Sequence, residues 1–255
     1  MHASPLNQPS IQPQLADRQV MRERPAGLPL MRQHWSKLLF MHWPLPADLI
    51  RPLLPRRLAV DTFDGQAWIA ITPFTVRGLR ASFLPPVPGT STFHELNVRT
   101  YVHLDGAPGV WFFSLDAANT AAVIGARLSY HLPYMRAEML QHQEGNTIRY
   151  TSRRTQQDAP PAIFNATWQV GEHLPPAEPG SLAFFLTERY ALYAAQGEKL
   201  FQARIFHEQW PLQTAAIGEW QSSMISAAGL PEPASPPLLH YSEHVEVDIW
   251  PIRRV

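Results

Sequence analysis

Apolar and polar residues alternate with a period of two along much of the chain, the spacing of strands rather than helices. The stretch FHELNVRTYV, Phe93 to Val102, shows it most clearly. Phe93, Glu95, Asn97, Arg99 and Tyr101 fall on one side of such a strand, and His94, Leu96, Val98 and Thr100 on the other. The second side reads as the core face. The first is then either a wet surface, with Glu95 and Arg99 exchanging charge, or the wall of a polar pocket. GVWFFSLD, rich in aromatics and valine, predicts a partner strand, with Asp105-Gly106 and Pro108-Gly109 as turn material between them.

The same reading extends outward. His34 to Pro46 carries Trp35, Leu38, Leu39 and Phe40, the apolar surface of an early helix or strand. A short helix ending near Leu54 follows. Asp64-Gly65 then predicts a hairpin between LAVDTF and AWIAITPFTV. The alanine-rich AAVIGARL predicts a helix, with Asp116 or Asn119 as its N-cap and Pro133 beyond its end. YMRAEMLQHQ and NTIRYTSRR read as strands joined at Glu144-Gly145-Asn146. ATWQVG, KLFQARIFHEQWPLQ and the tail HYSEHVEVDIWPIRRV add strands, with a turn expected near Gly218. Ser181 is placed to cap a helix in SLAFFLTERYALYAA, where Leu182, Phe185 and Leu186 recur at helical spacing. The sum is roughly eight to ten strands and two or three helices, a compact α+β fold built around antiparallel sheet. Residues 1 to 30, polar and proline-bearing, read as a flexible extension, and residues 31 to 255 as one domain.

Composition narrows the function. The 255-residue chain has 21 basic and 21 acidic residues and no long basic tract, which argues against nucleic-acid binding. It has no cysteine, so disulfides, thiolate catalysis and Cys-ligated metals are excluded. No apolar run approaches a membrane span and no secretory signal opens the chain, which fits a cytoplasmic location. Only Lys37 and Lys199 are lysines. The 11 histidines form separated pairs (His34 and His42, His94 and His103, His240 and His244) without the three or four ligands of a metal site. There is no nucleophile elbow and no glycine-rich phosphate or dinucleotide loop, so no metal and no cofactor is expected.

Several blocks in order carry a resemblance: HWSKLLFMHWPLP, FHELNVRTYV, GVWFFSLDA, ARLSYHLPYMRAEM, SLAFFLTERYALY and the segment HEQWPLQ from His207. Over residues 30 to 254 the chain resembles the uncharacterised conserved family DUF2071, typified by bacterial YqjF proteins. Through it, the chain is distantly similar to the acetoacetate decarboxylase-like superfamily. That resemblance implies an antiparallel β-rich domain with an internal cavity, and a homo-oligomer. It matches Glu95 to the superfamily's strand glutamate, and Arg127 with Pro133 to its arginine and proline. Tyr134 and Met135 stand where the decarboxylases carry paired lysines. A Schiff-base decarboxylation needs a primary amine, which neither residue supplies.

The expected site is therefore a polar pocket with Glu95, Arg127 and Tyr134 as its catalytic candidates and Asn97, Arg99 and Arg189 as ligand-binding candidates. Glu95 suits a general base if burial raises its pKa, and the arginines suit a carboxylate or enolate. Three readings stay open: an enzyme acting on a small keto or carboxylate compound without a Schiff base, a non-catalytic binder of a small apolar ligand, and a structural or partner-binding domain.

Overall fold

The structure, a computed structural model, describes residues 12–255. Thirteen strands follow one another as β1 (Met31–Leu45), β2 (Ala59–Val60), β3 (Ala67–Ala81), β4 (Phe93–Leu104), β5 (Ala107–Ala117), β6 (Tyr134–Glu144), β7 (Thr147–Arg154), β8 (Ile163–His173), β9 (Ala191–Gln196), β10 (Lys199–Phe206), β11 (Leu212–Ser222), β12 (Leu238–Ile249) and β13 (Arg253–Arg254). Five α-helices accompany them: α1 (Leu15–Met21), α2 (Ala47–Ile50), which runs on into a 3-10 turn over Arg51–Leu53, α3 (Thr120–Tyr130), α4 (Leu182–Thr187) and α5 (Met224–Ala227). No helix among the described residues is long and apolar enough to cross a membrane.

All the strands join one sheet in the order β13-β10-β9-β5-β6-β7-β8-β11-β12-β1-β3-β4-β2. Two further pairings, β4 with β5 and β10 with β12, close it on itself. The closures create two rings with a common wall. One runs β1-β3-β4-β5-β9-β10-β12 and the other β1-β3-β4-β5-β6-β7-β8-β11-β12. Pairing is antiparallel except where β5 meets β6 and β9, which run parallel to it.

A shared wall must bury both of its faces, and β4 does. From Glu95 to Leu104 every residue is buried. Leu96, Val98 and Val102 join the core of the larger ring, with Trp43, Tyr150 and Trp168. Phe93 and Tyr101 join that of the smaller ring, with Phe40, Phe74 and Leu115. The wet-face reading of the polar row is thereby overturned: Glu95, Asn97 and Arg99 point into the smaller ring.

Most of the expected elements form, and the departures have local causes. Asn119, not Asp116, caps α3, its side-chain oxygen accepting from the Ala122 N–H at 3.0 Å. The Asp64-Gly65 turn forms with both residues at positive φ, but only Phe63 and Gln66 pair across it. β2 pairs instead with β4. The signal at Gly218 is an irregularity rather than a turn: β11 runs through it, with a register shift between Ile217 and Trp220. The helix from Ser181 stops at Thr187, and ALYAA becomes β9. The expected flexible extension is docked from Gln12 onward. The Gln12 side chain donates to Val60 O at 2.9 Å, Arg18 pairs with Asp61 at 2.7 Å, and Met21 is buried. The rest of that expected extension, residues 1–11, lies outside the described residues.

Candidate active site

The smaller ring is not filled. It holds a cavity of about 360 Å³, within the range of small-molecule pockets. β4 supplies Phe93, Glu95, Asn97 and Arg99 to its wall; β1 supplies Trp35 and Leu38. Those two β1 residues are three apart, which simple alternation forbids. Lys37 between them sits at φ 53, where the register against β3 also shifts, and this bulge turns both neighbours inward. Helix α3 covers one end with small residues, Ala121, Ala122, Gly125 and Ala126. Thr90, Ala121, Gly125 and Ser129 are the lining residues exposed to solvent, so the mouth lies along α3. The opposite end of the ring is plugged by α4, whose Phe184, Phe185 and Leu186 are buried in the core; Leu186 O accepts from the Tyr101 hydroxyl at 2.9 Å.

Glu95 is 4% exposed. The Tyr134 hydroxyl donates to its Oε2 at 3.0 Å. From the larger ring, the Tyr150 hydroxyl donates to the Glu95 backbone carbonyl at 3.0 Å and fixes the strand behind it. Burial pushes the Glu95 carboxyl up to about 8; the Tyr134 hydrogen bond pulls the other way, and the charge of Asp116 adds to the rise. Asp116 itself faces away from the cavity. Arg154 grips both of its oxygens, at 2.7 and 2.8 Å.

Asn97 accepts a hydrogen bond from the Thr72 hydroxyl through its Oδ1. Its amide nitrogen has no protein partner among the described residues. Arg99 is 7% exposed, with its guanidinium 5.3 Å from the Phe40 ring and 5.9 Å from that of Tyr101. Its Nε and Nη2 have no hydrogen-bond partner. Arg189 also reaches the lining, but its Nη1 is paired with Asp61 and its Nε donates to Phe185 O at 2.7 Å. That arginine is mainly a brace at the plugged end.

Arg127 does not line the cavity. It sits in the last turn of α3, and its Nε donates to the backbone carbonyl of Tyr134 at 2.6 Å. The expected trio of Glu95, Arg127 and Tyr134 is thus a pair in the cavity plus an arginine that holds the backbone of one member. Neither Lys37 nor Lys199 lines the cavity, and the Met135 sulfur lies 3.5 Å from Arg127 Nη2. Among the described residues, no group of three or more His, Asp or Glu is placed to hold a metal ion.

Sequence reasoning missed part of the floor. His207 stacks on Tyr190 at 4.6 Å and lies 5.0 Å from the Trp210 ring. Trp210 in turn packs against Phe40 and Trp35. Both His207 and Trp210 line the cavity. The compact HEQWPLQ block was the signal available, but nothing in its local spacing pointed inward.

Comparison with known proteins fits this architecture. The DUF2071 family model, an uncharacterized conserved protein, matches residues 32–246. The chain belongs to the DUF2071 family. The uncharacterized protein YqjF of Bacillus subtilis (strain 168) is 43% identical over 230 residues, covering 90% of this chain and 94% of that protein. Among solved structures, this DUF2071 chain is similar to the enduracididine biosynthesis enzyme MppR complexed with pyruvate. The TM-score is 0.62 at 12% identity, over 91% of this chain and 93% of that one. It is also similar to an acetoacetate decarboxylase-like enzyme from Sphingomonas wittichii RW1, with a TM-score of 0.58 at 12% identity over 88% and 92% of the two chains. At that identity the likeness shows the fold: a mostly antiparallel β-sheet with a few helices, as in the acetoacetate decarboxylase-like superfamily.

Proposed function

We infer that the cavity binds a small keto-carboxylate and that Glu95 moves a proton at the carbon beside its carbonyl, without an iminium intermediate. The observation that carries this is the placement of a buried carboxyl, raised to about 8 and hydrogen-bonded to Tyr134, in a cavity shared with an arginine lacking an acidic partner. A carboxylate with so high a pKa is a strong base for its type, and the fraction ionised near neutral pH does the work. Tyr134 orients it. The amide nitrogen of Asn97, on the same face of β4, supplies a donor for the carbonyl oxygen as charge develops there. An iminium route needs a primary amine, and neither lysine of the chain lines the cavity.

The test is deuterium exchange in D2O, followed by proton NMR, at the carbon next to the keto group of a panel of keto acids. The wild-type protein should catalyse exchange in at least one of them. Glu95→Gln should lose it by on the order of a hundredfold or more. The rate should rise about tenfold per pH unit below 8 and level above it, following the ionised carboxyl. Exchange that survives Glu95→Gln unchanged would remove Glu95 from the chemistry.

A further inference from the structure

Arg99 is the unbalanced charge of this interior. Of the buried arginines, Arg154 is paired with Asp116 and Arg189 with Asp61, each at short distance. Arg99 is more than nine-tenths buried, forms no ion pair among the described residues, and leaves Nε and Nη2 unpartnered. Arg99 lines the cavity, and a guanidinium takes a carboxylate along an edge with two parallel hydrogen bonds. An unpaired buried charge is destabilising, and an anionic ligand in the adjoining cavity is what relieves it.

The strand register fixes where this charge sits relative to Glu95. Glu95 lies opposite Phe74 and Ala117, Asn97 opposite Thr72 and Leu115, and Arg99 opposite Ala70 and Phe112. These are successive levels down the inside of the ring, away from the α3 mouth. Glu95 and Arg99 are four residues apart on one strand, so their Cα atoms are about 13 Å apart. The Arg99 guanidinium stays near its own level, held between the rings of Phe40 and Tyr101. Its charge acts on His42, Tyr101 and His207, whereas the charge felt by Glu95 is that of Asp116. Allowing about 3 Å of contact at each end leaves about 7 Å between the ligand's carboxylate oxygen and its reacting carbon. Leu38, Phe74 and Leu115 make the wall of that stretch apolar.

We propose that the ligand is an elongated keto-carboxylate, bound carboxylate-first on Arg99, with its keto group about four or more carbons away at the level of Asn97 and Glu95. The proposal rests on the keto-carboxylate reading above and adds its length and direction. Pyruvate and acetoacetate, whose two functions sit on adjacent or nearly adjacent carbons, are too short to touch both ends.

Isothermal titration calorimetry with four probes tests it: oxoheptanoate carrying its keto group at the far end, heptanoate, acetoacetate and pyruvate. The wild-type protein is expected to bind oxoheptanoate at least about tenfold more tightly than acetoacetate or pyruvate. Arg99→Met should weaken oxoheptanoate and heptanoate together by about thirtyfold or more, the loss of a paired carboxylate. Equal or tighter binding of the short acids overturns the length assignment and leaves the keto-carboxylate reading standing. Binding of none of the keto acids overturns both. Oxoheptanoate binding untouched in Arg99→Met overturns Arg99 as the anchor. The probe comparison on wild-type protein needs no variant, so it decides the length question even if the Arg99 variant misfolds.

Discussion

Glu95 couples the cavity to the stability of the whole fold. Its carboxyl is raised to about 8 by burial. Between the ordinary carboxylate value and 8, the folded state keeps a proton that the unfolded chain has released. The stability this group contributes is therefore fully present below the ordinary value and is lost as pH rises toward 8, by up to about 1.4 kcal/mol per pH unit. Glu95→Gln keeps the shape and removes the titration. Urea unfolding at pH 5 and pH 9 should show the variant losing far less stability than wild type over that interval, and exceeding it at pH 9 by about 2–4 kcal/mol. Tyr134→Phe removes a hydrogen bond that favours the ionised form, so the Glu95 pKa should climb further. The Asp116–Arg154 pair behaves differently. Both side chains are almost wholly buried, so Arg154→Leu strands a carboxylate and should cost about 3–5 kcal/mol by the same unfolding assay.

At the level of elements, α3 is the cover of the cavity, and its composition fits that place. It presents alanine and glycine inward while Ile124 and Leu128 stay exposed. A Cβ added at Gly125 would meet nothing within 4 Å. Gly125→Ala should therefore stabilise the protein by about 0.5–1 kcal/mol through helix propensity alone, read as a raised melting temperature. The same helix shows where sequence legibility ends. Its span and its termination before Pro133 follow from local chemistry, its cap only as a choice between Asp116 and Asn119, and the alternation that makes β4 a strand follows too. The pocket wall follows only in part. Glu95 and Asn97 are two residues apart on a regular strand, so their shared face could be read directly. Trp35 with Leu38 could not, because the Lys37 bulge breaks the alternation. His207 and Trp210 reach the floor only through the closure of the ring. Arg127 was misplaced for a related reason: the motif spacing holds, but its side chain turns back to the Tyr134 carbonyl.

The whole molecule depends on closure. A sheet with two extra pairings has two interiors, and one of them is left partly empty beside a wall that buries both faces. The joint between β5 and β9 is tight. A Cβ at Gly109 would stand 2.8 Å from the Ala191 carbonyl and 2.7 Å from the Tyr193 ring. Gly109→Ala should loosen the smaller ring at about 1–3 kcal/mol, and amide exchange should speed up in β5, β9 and β10 before the rest of the sheet. The fold is like that of the acetoacetate decarboxylase-like structures, and its cavity sets Tyr134 beside an acid held neutral by burial. That pairing is the core of the functional account, and the ionisation state of one carboxyl decides it. The most direct measurement is a carbon-13 NMR titration of side-chain-labelled glutamate, with the Glu95 signal assigned by its loss in Glu95→Gln. A resonance that titrates near pH 8 and moves on addition of a keto acid is the predicted result. A Glu95 signal already ionised at pH 6, or one indifferent to every keto acid added, would contradict the account.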